Sequence, residues 1–235
     1  ASATAGGYAI TVTANDGHGG TVSQSFTLTA TNPAPVAVAD TGAATEDAPL
    51  TSVSAANGVL ANDHDPDGDA LSVSAVRTGA QSGTGTAGTV GTVLHGSYGD
   101  LTLNSDGSYS YVANHADALA QGQHATDTFT YTLSDAQGAT TSAELAIDVT
   151  GANDVPVTVG SIASLTQADS TVVSIPTAAH FHDADSTDTL SYSASGLPAG
   201  LSIDAATGII SGPLAHDASA TAGGYAITVT ANDGH

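Results

Sequence analysis

The sequence predicts an all-β protein made of tandem antiparallel β-sandwiches that are arranged head to tail as a rod. Apolar and polar residues alternate with period 2 through most of the chain, whereas helical periodicity is almost absent. In residues 8–14, for example, Tyr8, Ile10 and Val12 share one face, and threonines occupy the other. The length of 235 residues accommodates two sandwiches of about 100 residues each.

An exact internal repeat indicates a longer array. Residues 1–18 recur letter for letter as residues 218–235. A repeat at a fixed offset is typical of proteins in which one structural unit recurs, and this offset is too long for a single solenoid repeat. We therefore interpret the chain as one period of a repetitive array, with a function that belongs to the array.

The composition excludes several classes of function. Arg77 is the one basic residue against 23 acidic ones, for a net charge of −22, so a basic patch for nucleic acid or anionic lipid is ruled out. The absence of cysteine rules out disulfides and Cys-ligated zinc. No apolar run reaches membrane-spanning length, so we expect no membrane insertion by this segment. The acidity has two interpretations, a solvated surface or a set of cation ligands.

Two proline-containing stretches divide the chain into three segments. Asn32-Pro33-Ala34-Pro35 and Gly151 to Pro156 interrupt the alternating pattern, as linkers do. Residues 1–32 are interpreted as the C-terminal strands of a preceding domain copy, residues 33–152 as a complete sandwich, and residues 153–235 as a sandwich lacking its last strand. The missing strand corresponds to residues 19–30, so we expect an open edge that is either completed by strand exchange with a neighbouring chain or visibly disordered.

The alternation also predicts individual elements. Two strands joined by an acidic loop are expected within residues 7–30, and residues 78–93 are expected to form a mobile loop or a poorly packed edge. Residues 116–123 are the one candidate for a short helical turn. Further strands are predicted at 57–61, 70–76, 100–104, 108–113, 127–134, 142–150, 161–165, 171–175, 189–194, 200–203, 208–211 and 224–231.

The acidic residues occur at spacings that suit a hard cation. Asp63, Asp65, Asp67 and Asp69 alternate in a turn-rich stretch, where the short side chains can converge on one ion. Ca²⁺ takes six to eight oxygen ligands, and no lysine is present to neutralise these charges. A calcium site is therefore predicted here, with an exposed acidic turn as the alternative.

A second set of acidic residues is predicted to meet at the second linker. In an immunoglobulin-like sandwich the B–C and F–G loops lie at the same end of the domain. If the B–C loop carries Asp183, Asp185 and Asp188 and the F–G loop carries Asp233, both loops would meet the linker. The linker contributes Asn153 and Asp154, and the repeat places Asp16 in the position equivalent to Asp233.

The same residues resemble two known domain families. The residues that match the first family are Thr45-Glu46-Asp47, Gly58 to Asp63 followed by Asp65 to Asp69, Tyr98 to Asn104, Asp106 to Tyr109, and Asp127 to Tyr131 with Ser134-Asp135. Residues 42–150 thereby resemble a VCBS repeat, a cadherin-like module of giant RTX-type, biofilm-forming bacterial adhesins. Residues 157–235 resemble a dystroglycan-type cadherin-like domain of the Ig type abbreviated He_PIG, on Phe181 to Asp188, Gly196 to Asp204, Thr207 to Gly212 and Ile227 to Gly234.

The resemblance implies Ig/cadherin-like sandwiches with Ca²⁺ at the joints between adjacent domains. Cadherin-type ligands map onto the two acidic B–C loops and onto an F–G aspartate in each copy, which for the middle segment is Asp135. At the first joint the linker offers only Asn32 before its prolines, so this joint is expected to bind fewer ions or none. The resemblance also implies export to the extracellular bacterial cell surface, by type I secretion.

The predicted function is that of a non-enzymatic, Ca²⁺-stabilised extender of a large adhesin that projects a distal binding region for cell adhesion and biofilm formation. The alternatives are a glycan- or surface-binding adhesive module and a spacer of a secreted multidomain enzyme. His180 and His182 share a strand face and could bind zinc or copper, although an exposed polar face explains them as well. No pattern of a catalytic nucleophile is present.

Overall fold

A computed structural model describes residues 7–222 and 224–235; residues 1–6 of the first segment and Gly223 lie outside the described residues. The described chain is all-β, with 42% strand and 4% helix, as predicted. Its helices are 3₁₀ turns of three residues each, at Ala55–Asn57, Ala178–His180 and Ala218–Ala220. Over the described ranges, no helix has the length and apolar character needed to cross a bilayer.

The first segment is a β-hairpin. Strands β1 (Tyr8–Asn15) and β2 (Thr21–Leu28) pair antiparallel along their full length, with Tyr8 opposite Leu28 and Asn15 opposite Thr21. The prediction of two strands within residues 7–30 is confirmed. The apolar side chains of this hairpin are not buried in a core: the exposed fraction is 46% for Tyr8 and 71% for Val22.

The middle segment is a sandwich of two sheets. One sheet has the order β3-β11-β10-β5-β6 and the other the order β4-β9-β8-β7. All ladders are antiparallel except that β3 runs parallel to β11, a detail the alternating pattern does not predict. Its strands are β3 (Asp40–Thr45), β4 (Thr51–Val53), β5 (Ser72–Thr78), β6 (Ala87–Gly88), β7 (Val93–His95), β8 (Asp100–Leu103), β9 (Tyr109–Val112), β10 (His124–Ser134) and β11 (Thr140–Thr150).

The core of the middle sandwich follows from alternation on its longest strands. Phe129, Tyr131 and Leu133 of β10 are fully buried, and they face Leu101 and Tyr111 of the opposite sheet. The rings of Tyr111 and Phe129 meet edge to face, with centroids 6.3 Å apart. A continuous core of this kind fixes the register of both sheets, because a slip of one residue would turn every apolar side chain outward.

The third segment has shorter strands and a less buried core. Its sheets have the orders β13-β17-β16, β15-β18 and β12-β14. Val173, Ile210 and Ala218 are its buried apolar residues. Its strands are β12 (Val157–Thr158), β13 (Val172–Pro176), β14 (Phe181–His182), β15 (Ser191–Ser195), β16 (Ser202–Ile203), β17 (Ile209–Pro213) and β18 (Thr228–Asn232).

Three predicted elements are wrong in type. Residues 57–61 form a turn, in which Gly58 passes against the backbone of Gly107 and Val59 enters the core. Residues 161–165 form no strand, and two of their side chains, Ile162 and Leu165, line an open cavity. Residues 116–123 contain two successive turns in place of a helix, closed by Leu119 N to Ala116 O and Gln123 N to Ala120 O.

The loop predicted at residues 78–93 is partly an edge of the sheet. Ala87 and Gly88 form β6, which pairs with Val76 and Arg77 of β5. Arg77 shapes the preceding turn, because its guanidinium donates to the carbonyls of Thr78, Gly79, Ala80 and Gln81 at 2.9–3.4 Å. The edge alternative is therefore confirmed at these two residues.

Candidate metal sites at the domain joints

Both acidic loops are held against a linker by the same backbone pairing. Val36, just after the first linker, exchanges hydrogen bonds with His64, and Asp65 follows directly. Val157, just after the second linker, pairs with His182, and Asp183 follows directly. The sequence His-Asp-x-Asp thus begins at a joint in both sandwiches.

The acidic turns have a common local geometry. The N–H of Asp67 donates to Oδ1 of Asp65 at 3.0 Å, and the N–H of Asp185 donates to Oδ1 of Asp183 at 3.0 Å. In the first turn, Asp65, Asp67 and Asp69 offer carboxylate oxygens within 4.8 Å of one another. The neighbouring Asp65 carboxyl, which shares a hydrogen bond with Asp67, raises the pKa of Asp67 to about 6. A cation bound here would relieve this repulsion between like charges.

The three F–G aspartates occupy equivalent turns. Oδ1 of Asp16 accepts from the N–H groups of the residues two and four positions later, at 2.8 and 2.9 Å. In the same way, Oδ1 of Asp135 accepts from the N–H groups of Gln137 and Ala139, both at 2.9 Å. Oδ1 of Asp233 accepts from the N–H of His235 at 3.0 Å. One oxygen of each carboxylate therefore shapes the turn, and the other is free for a further partner.

That further partner is a linker asparagine at both joints. Nδ2 of Asn32 donates to Oδ2 of Asp135 at 2.6 Å, and Nδ2 of Asn153 donates to Oδ2 of Asp233 at 3.2 Å. Burial disfavours the charged form of Asp135, but the hydrogen bond from Asn32 and those from backbone N–H groups outweigh it and hold its pKa below the usual value. Each linker is thus tied to the F–G turn of the domain that follows it.

The second joint brings residues of two sandwiches into contact. The N–H of Asp154 donates to Oδ2 of Asp185 at 3.0 Å, and the N–H of Ala152 donates to Oε2 of Glu46 at 3.0 Å. Oγ of Ser186, in the acidic loop of the third segment, donates to the carbonyl of Ala118 in the middle one at 2.7 Å. The joint is therefore a direct contact among Glu46 and the turn at Ala118 of the middle sandwich, the linker, and the acidic loop of the third segment.

This joint contains buried oxygens that lack protein partners. Within residues 7–222 and 224–235, four such side-chain oxygens belong to joint residues, namely Glu46 Oε1, Asn153 Oδ1, Asp183 Oδ2 and Asp185 Oδ1. A fifth buried oxygen, Asp188 Oδ2, accepts no hydrogen bond but lies 3.5 Å from Nε2 of His235. The first acidic turn contributes two more, Asp65 Oδ2 and Asp69 Oδ2. A buried carboxylate oxygen without a donor or a cation is strongly destabilising, and an all-oxygen donor set of this kind suits Ca²⁺.

The pKa values of two carboxyls at the joint are raised by burial and by the charges of neighbouring carboxylates. Burial, followed by repulsion from Asp47 and Asp185, raises the pKa of Asp154. Burial also raises the pKa of Glu46, against the hydrogen bond from Ala152, and the charge of Asp154 adds to this effect. These shifts arise because the joint gathers carboxylates with no lysine or arginine among them, and its imidazole, His235, lies against Asp188 at 3.5 Å.

Three acidic residues at this joint, Glu46, Asp47 and Asp117, are not among the predicted metal ligands. Glu46 lies there and is only 3% exposed, and Asp47 and Asp117 are close enough to raise the pKa values of Glu46 and Asp154. Glu46 lies in the Thr45-Glu46-Asp47 motif, where the cadherin resemblance makes it a candidate for the glutamate of strand A on a poor match only. Asp117 has no comparable signal in the sequence.

Asp63 has contacts different from those expected of a ligand in the first turn. Its Oδ1 accepts from the N–H of Val38 at 2.7 Å, and its Oδ2 accepts from the hydroxyl of Tyr131 at 3.1 Å. The structure thus places Asp63 beside Asp40, which also accepts from Tyr131, at 2.9 Å. The predicted group of four aspartates is reduced to Asp65, Asp67 and Asp69.

A group with two histidines lies away from the joints' acidic loops. Nδ1 of His95 and Oδ1 of Asp100 are 2.6 Å apart, and Nδ1 of His115 is 4.0 Å from the same oxygen. Asn114 donates to the other oxygen of Asp100 at 3.0 Å. These contacts satisfy the Asp100 carboxylate without an ion, and the His95 side chain is 74% exposed.

Comparison with known families decides the identity of the middle segment. The model for the bacterial cadherin-like domain matches residues 32–151. The chain belongs to this family. Residues 155–235 match the family described as "Putative Ig domain". Cadherin-like and Ig-like domains indicate an extracellular, adhesion-type module and are typically non-enzymatic. Cadherin-like domains generally bind Ca²⁺.

Several solved structures are similar at low sequence identity. Domains EC22–24 of mouse cadherin-23 have a TM-score of 0.48 at 16% identity, over 86% of this chain and 65% of theirs. Protocadherin gamma B7 domains 1–4 have a TM-score of 0.47 at 15% identity, over 96% and 57%. An endo-fucoidan hydrolase of glycoside hydrolase family 107 has a TM-score of 0.31 at 20% identity, over 97% and 32%. The chain thus spans less than two thirds of each, and no curated protein matches it.

Proposed function

We propose that this bacterial cadherin-like chain is a Ca²⁺-stabilised extender of a large surface adhesin. The observation that carries the proposal is the set of buried, unpartnered oxygens at the second joint, on Glu46, Asn153, Asp183 and Asp185. Their desolvation is unfavourable unless a cation compensates it, and no lysine or arginine is available, because Arg77 is the one basic residue.

The proposed ligands come from three elements that meet at the joint. The middle sandwich contributes Glu46, the linker contributes Asn153 and Asp154, and the third sandwich contributes Asp183, Asp185, Asp188 and Asp233. At the first joint the proposed ligands are Asn32, Asp135 and the trio Asp65, Asp67 and Asp69, with Asp16 in the equivalent turn of the preceding copy. Asp63 is omitted because both of its oxygens accept hydrogen bonds elsewhere.

The bound ion would act mechanically. It would neutralise carboxylates of both sandwiches and of the linker at once, and would thereby fix the angle between the domains. Because the folded joint binds the ion and the unfolded chain lacks a formed site, calcium would also raise the free energy of unfolding. Without calcium, mutual repulsion among the carboxylates would loosen the joint.

The proposal extends to the organisation of the parent protein. Residues 1–32 would be the last strands of a preceding domain copy, residues 33–152 one cadherin-like domain, and residues 153–235 the next domain. Repetition of this unit along a longer chain would hold a distal binding region away from the bacterial surface, as biofilm adhesins of the VCBS and RTX type do. Export to the cell surface would follow from that role.

Calorimetric unfolding in EDTA and in millimolar CaCl₂ tests the proposal. Calcium at about 100 times its Kd contributes about 2.7 kcal/mol, which corresponds to a rise of about 5–10 °C in the Tm of a chain of this size. Asp185→Asn removes a charge at the centre of the joint and should abolish most of this rise. Asp106→Asn is the matched control, because Asp106 shapes an exposed hairpin turn through Ser108. An equal calcium response in both variants would refute the joint site.

A further inference from the structure

Two histidines converge on one carboxylate at the hairpin formed by β7 and β8. His95 and Asp100 lie directly opposite each other in this hairpin, and Nδ1 of His95 is 2.6 Å from Oδ1 of Asp100. His115, which follows β9, places its own Nδ1 4.0 Å from the same oxygen. Each of the three side chains offers a donor atom within 4.8 Å of the other two. Over residues 7–222 and 224–235, this is the one group of three such ligands that contains imidazoles.

The backbone around these side chains is firmly held. The turn between β7 and β8 is closed by a hydrogen bond of 2.7 Å from the N–H of Gly96 to the carbonyl of Gly99. The N–H of His115 donates to the carbonyl of Tyr98 in the same turn at 3.1 Å. Asp127, on the opposite sheet, also holds this turn through two backbone N–H groups. The group is therefore assembled by the fold, and only side-chain rotations are needed to adjust it.

Asn114 directs the carboxylate toward the two imidazoles. Its Nδ2 donates to Oδ2 of Asp100 at 3.0 Å, so the other oxygen, Oδ1, is the one that faces the histidines. A hydrogen bond to the outer oxygen of a carboxylate ligand is a regular feature of metal sites, because it fixes the direction of the ligand. Both imidazoles are accessible to an ion from solvent, since the side chains of His95 and His115 are 74% and 42% exposed.

We propose that His95, Asp100 and His115 bind a divalent transition-metal ion of the kind represented by Zn²⁺, Ni²⁺ and Cu²⁺. Imidazole nitrogen suits these ions, whereas Ca²⁺ and Mg²⁺ take oxygen ligands. The site therefore differs in chemistry from the all-oxygen sites proposed at the domain joints. Three protein ligands leave at least one coordination position open to water.

Only small movements are needed for an ion to enter. Two ligands that each lie about 2.0–2.2 Å from a tetrahedral ion are about 3.3 Å apart. Nδ1 of His95 would move away from Oδ1 of Asp100 by about 0.7 Å, and Nδ1 of His115 would approach that oxygen by a similar distance. The carboxylate is already satisfied in the free protein, so the ion would replace the hydrogen bond from His95, whose ring proton would then reside on Nε2.

A metal at this site would stabilise the part of the middle sandwich that touches the third segment. His115 lies three residues before Ala118, whose carbonyl accepts from Oγ of Ser186 across the second joint at 2.7 Å. The ion would connect this stretch to the β7–β8 hairpin, which supplies the other two ligands. It should also raise the Tm, because the unfolded chain lacks the assembled site.

Isothermal titration with ZnCl₂ tests the site, in millimolar CaCl₂ so that calcium competes for the acidic loops. The unmodified chain should bind zinc, and His95→Gln or His115→Gln should each weaken this binding about tenfold or more, since even residues that only orient a ligand have effects of that size. His124→Gln is the matched control and should leave binding unchanged, because His124 forms an exposed pair with a single carboxylate, Asp148, at 3.0 Å. Absence of zinc binding, or an equal loss in the control, would overturn the proposal.

NMR spectroscopy of the imidazoles locates the ion and separates this proposal from the calcium proposal. Substoichiometric Ni²⁺ broadens the resonances nearest to it, so the signals of His95 and His115 should disappear first. Three other histidines, His64, His182 and His235, lie beside aspartates of the acidic loops. Earlier loss of their signals would place the ion at the joints and overturn the site. The expected order should hold with and without CaCl₂, so failure of the calcium proposal would leave it unchanged.

Discussion

The hydroxyl of Tyr131 lies at the centre of a buried polar cluster in the middle sandwich. It is within 2.9–3.2 Å of Oδ2 of Asp40, Oδ2 of Asp63, and the carbonyls of Val38 and Val59. Tyr131 is fully buried, and desolvation and the adjacent carboxylates raise its pKa, so it stays protonated and acts as a donor. This cluster attaches the start of β3 and the turn at Val59 to the core strand β10.

Asp40 should make the stability of the chain depend on pH. Burial, with a smaller contribution from the charge of Asp63, raises the pKa of Asp40 to about 6, despite the hydrogen bond from Tyr131. Since the folded state holds this proton more tightly than the unfolded state does, stability should fall as the pH rises from 4 through 6. Asp40→Asn should raise the Tm in EDTA at pH 7 and flatten this dependence. Scanning calorimetry from pH 4 to 7 measures both effects.

The control for this prediction is Asp106→Asn. Hydrogen bonds from Ser108 lower the pKa of Asp106, so its stabilising contribution is lost as the pH falls below the unfolded value of about 4 and is nearly complete above about pH 5. The control should therefore leave the slope between about pH 5 and 6 unchanged, which is the interval in which the Asp40 effect is to be compared. The interpretation of Asp40 fails if Asp40→Asn has the same slope as the unmodified chain.

Removal of the Tyr131 hydroxyl should be costly. Tyr131→Phe leaves buried acceptors without their shared donor, which typically destabilises a protein by about 1–3 kcal/mol. Tyr109→Phe is the matched comparison, because Tyr109 is also largely buried but no hydrogen bond of its hydroxyl is present among the described residues. Urea unfolding should show a large loss for Tyr131→Phe and a change below about 0.5 kcal/mol for Tyr109→Phe. Equal losses would show that ring packing, and not the cluster, determines the effect.

At the scale of elements, Asp127 of β10 holds the turn between β7 and β8. Its carboxylate accepts from the N–H groups of Ser97 and Tyr98 at 3.1 Å and from the hydroxyl of Tyr111 at 2.9 Å. The turn approaches so closely that a Cβ at Gly96 would collide with this carboxylate. One side chain therefore joins an edge hairpin of one sheet to a central strand of the other.

Truncation of Asp127 should separate these elements. Asp127→Ala leaves three donors unsatisfied at a position that is 3% exposed, so we expect a loss of about 3 kcal/mol. Asp127→Asn keeps one acceptor oxygen and should lose less. Amide hydrogen exchange should become faster at residues 97–103 before it does at β11. Uniform acceleration over both sheets would contradict a role confined to this hairpin.

The strands that sequence analysis predicts correctly are those whose alternation reflects a buried face. β8 and β9 alternate strictly and β11 alternates from Ala143 onward, since one side of each meets the core, and β10 follows the same pattern except that Thr130 is buried as well. Residues 57–61 and 161–165 are apolar for a different reason, because single side chains such as Val59 and Leu165 point from irregular backbone toward a core or a cavity. Short apolar runs do not distinguish these cases, which is why both assignments were wrong.

The part of the candidate site that could be predicted consists of acidic residues that are close together in the sequence. Asp65, Asp67, Asp183 and Asp185 are close in sequence, so their local spacing shows that they share a turn. Glu46 and Asp117 are distant from the linker in sequence and reach the joint only through tertiary structure. Asp63 shows the opposite case, because its spacing fits the group but contacts with Val38 and Tyr131 turn it away.

At the scale of the whole molecule, the net charge of −22 opposes compaction. The single arginine relieves little of it, since it supplies one positive charge against 23 acidic residues, and its guanidinium binds four backbone carbonyls and no carboxylate. The carboxylates are also distributed unevenly, because the acidic loops of the two sandwiches lie at the linkers. The electrostatic free energy of the chain is therefore greatest at the joints, where a bound cation would lower it most.

Salts compared at equal ionic strength should separate screening from binding at these joints. Sodium chloride shortens the Debye length, from about 30 Å at 0.01 M to about 8 Å at 0.15 M, so it should raise the Tm modestly by weakening long-range repulsion. Calcium chloride should raise it much more, because the joint oxygens would coordinate the ion directly. Magnesium chloride should lie between them, because Mg²⁺ demands stricter octahedral geometry and gives up water reluctantly. Calorimetry in the three salts, with Asp185→Asn alongside, measures this order. Identical Tm values at equal ionic strength would mean that the carboxylates are only screened, and the order should collapse in Asp185→Asn if the second joint is responsible for it.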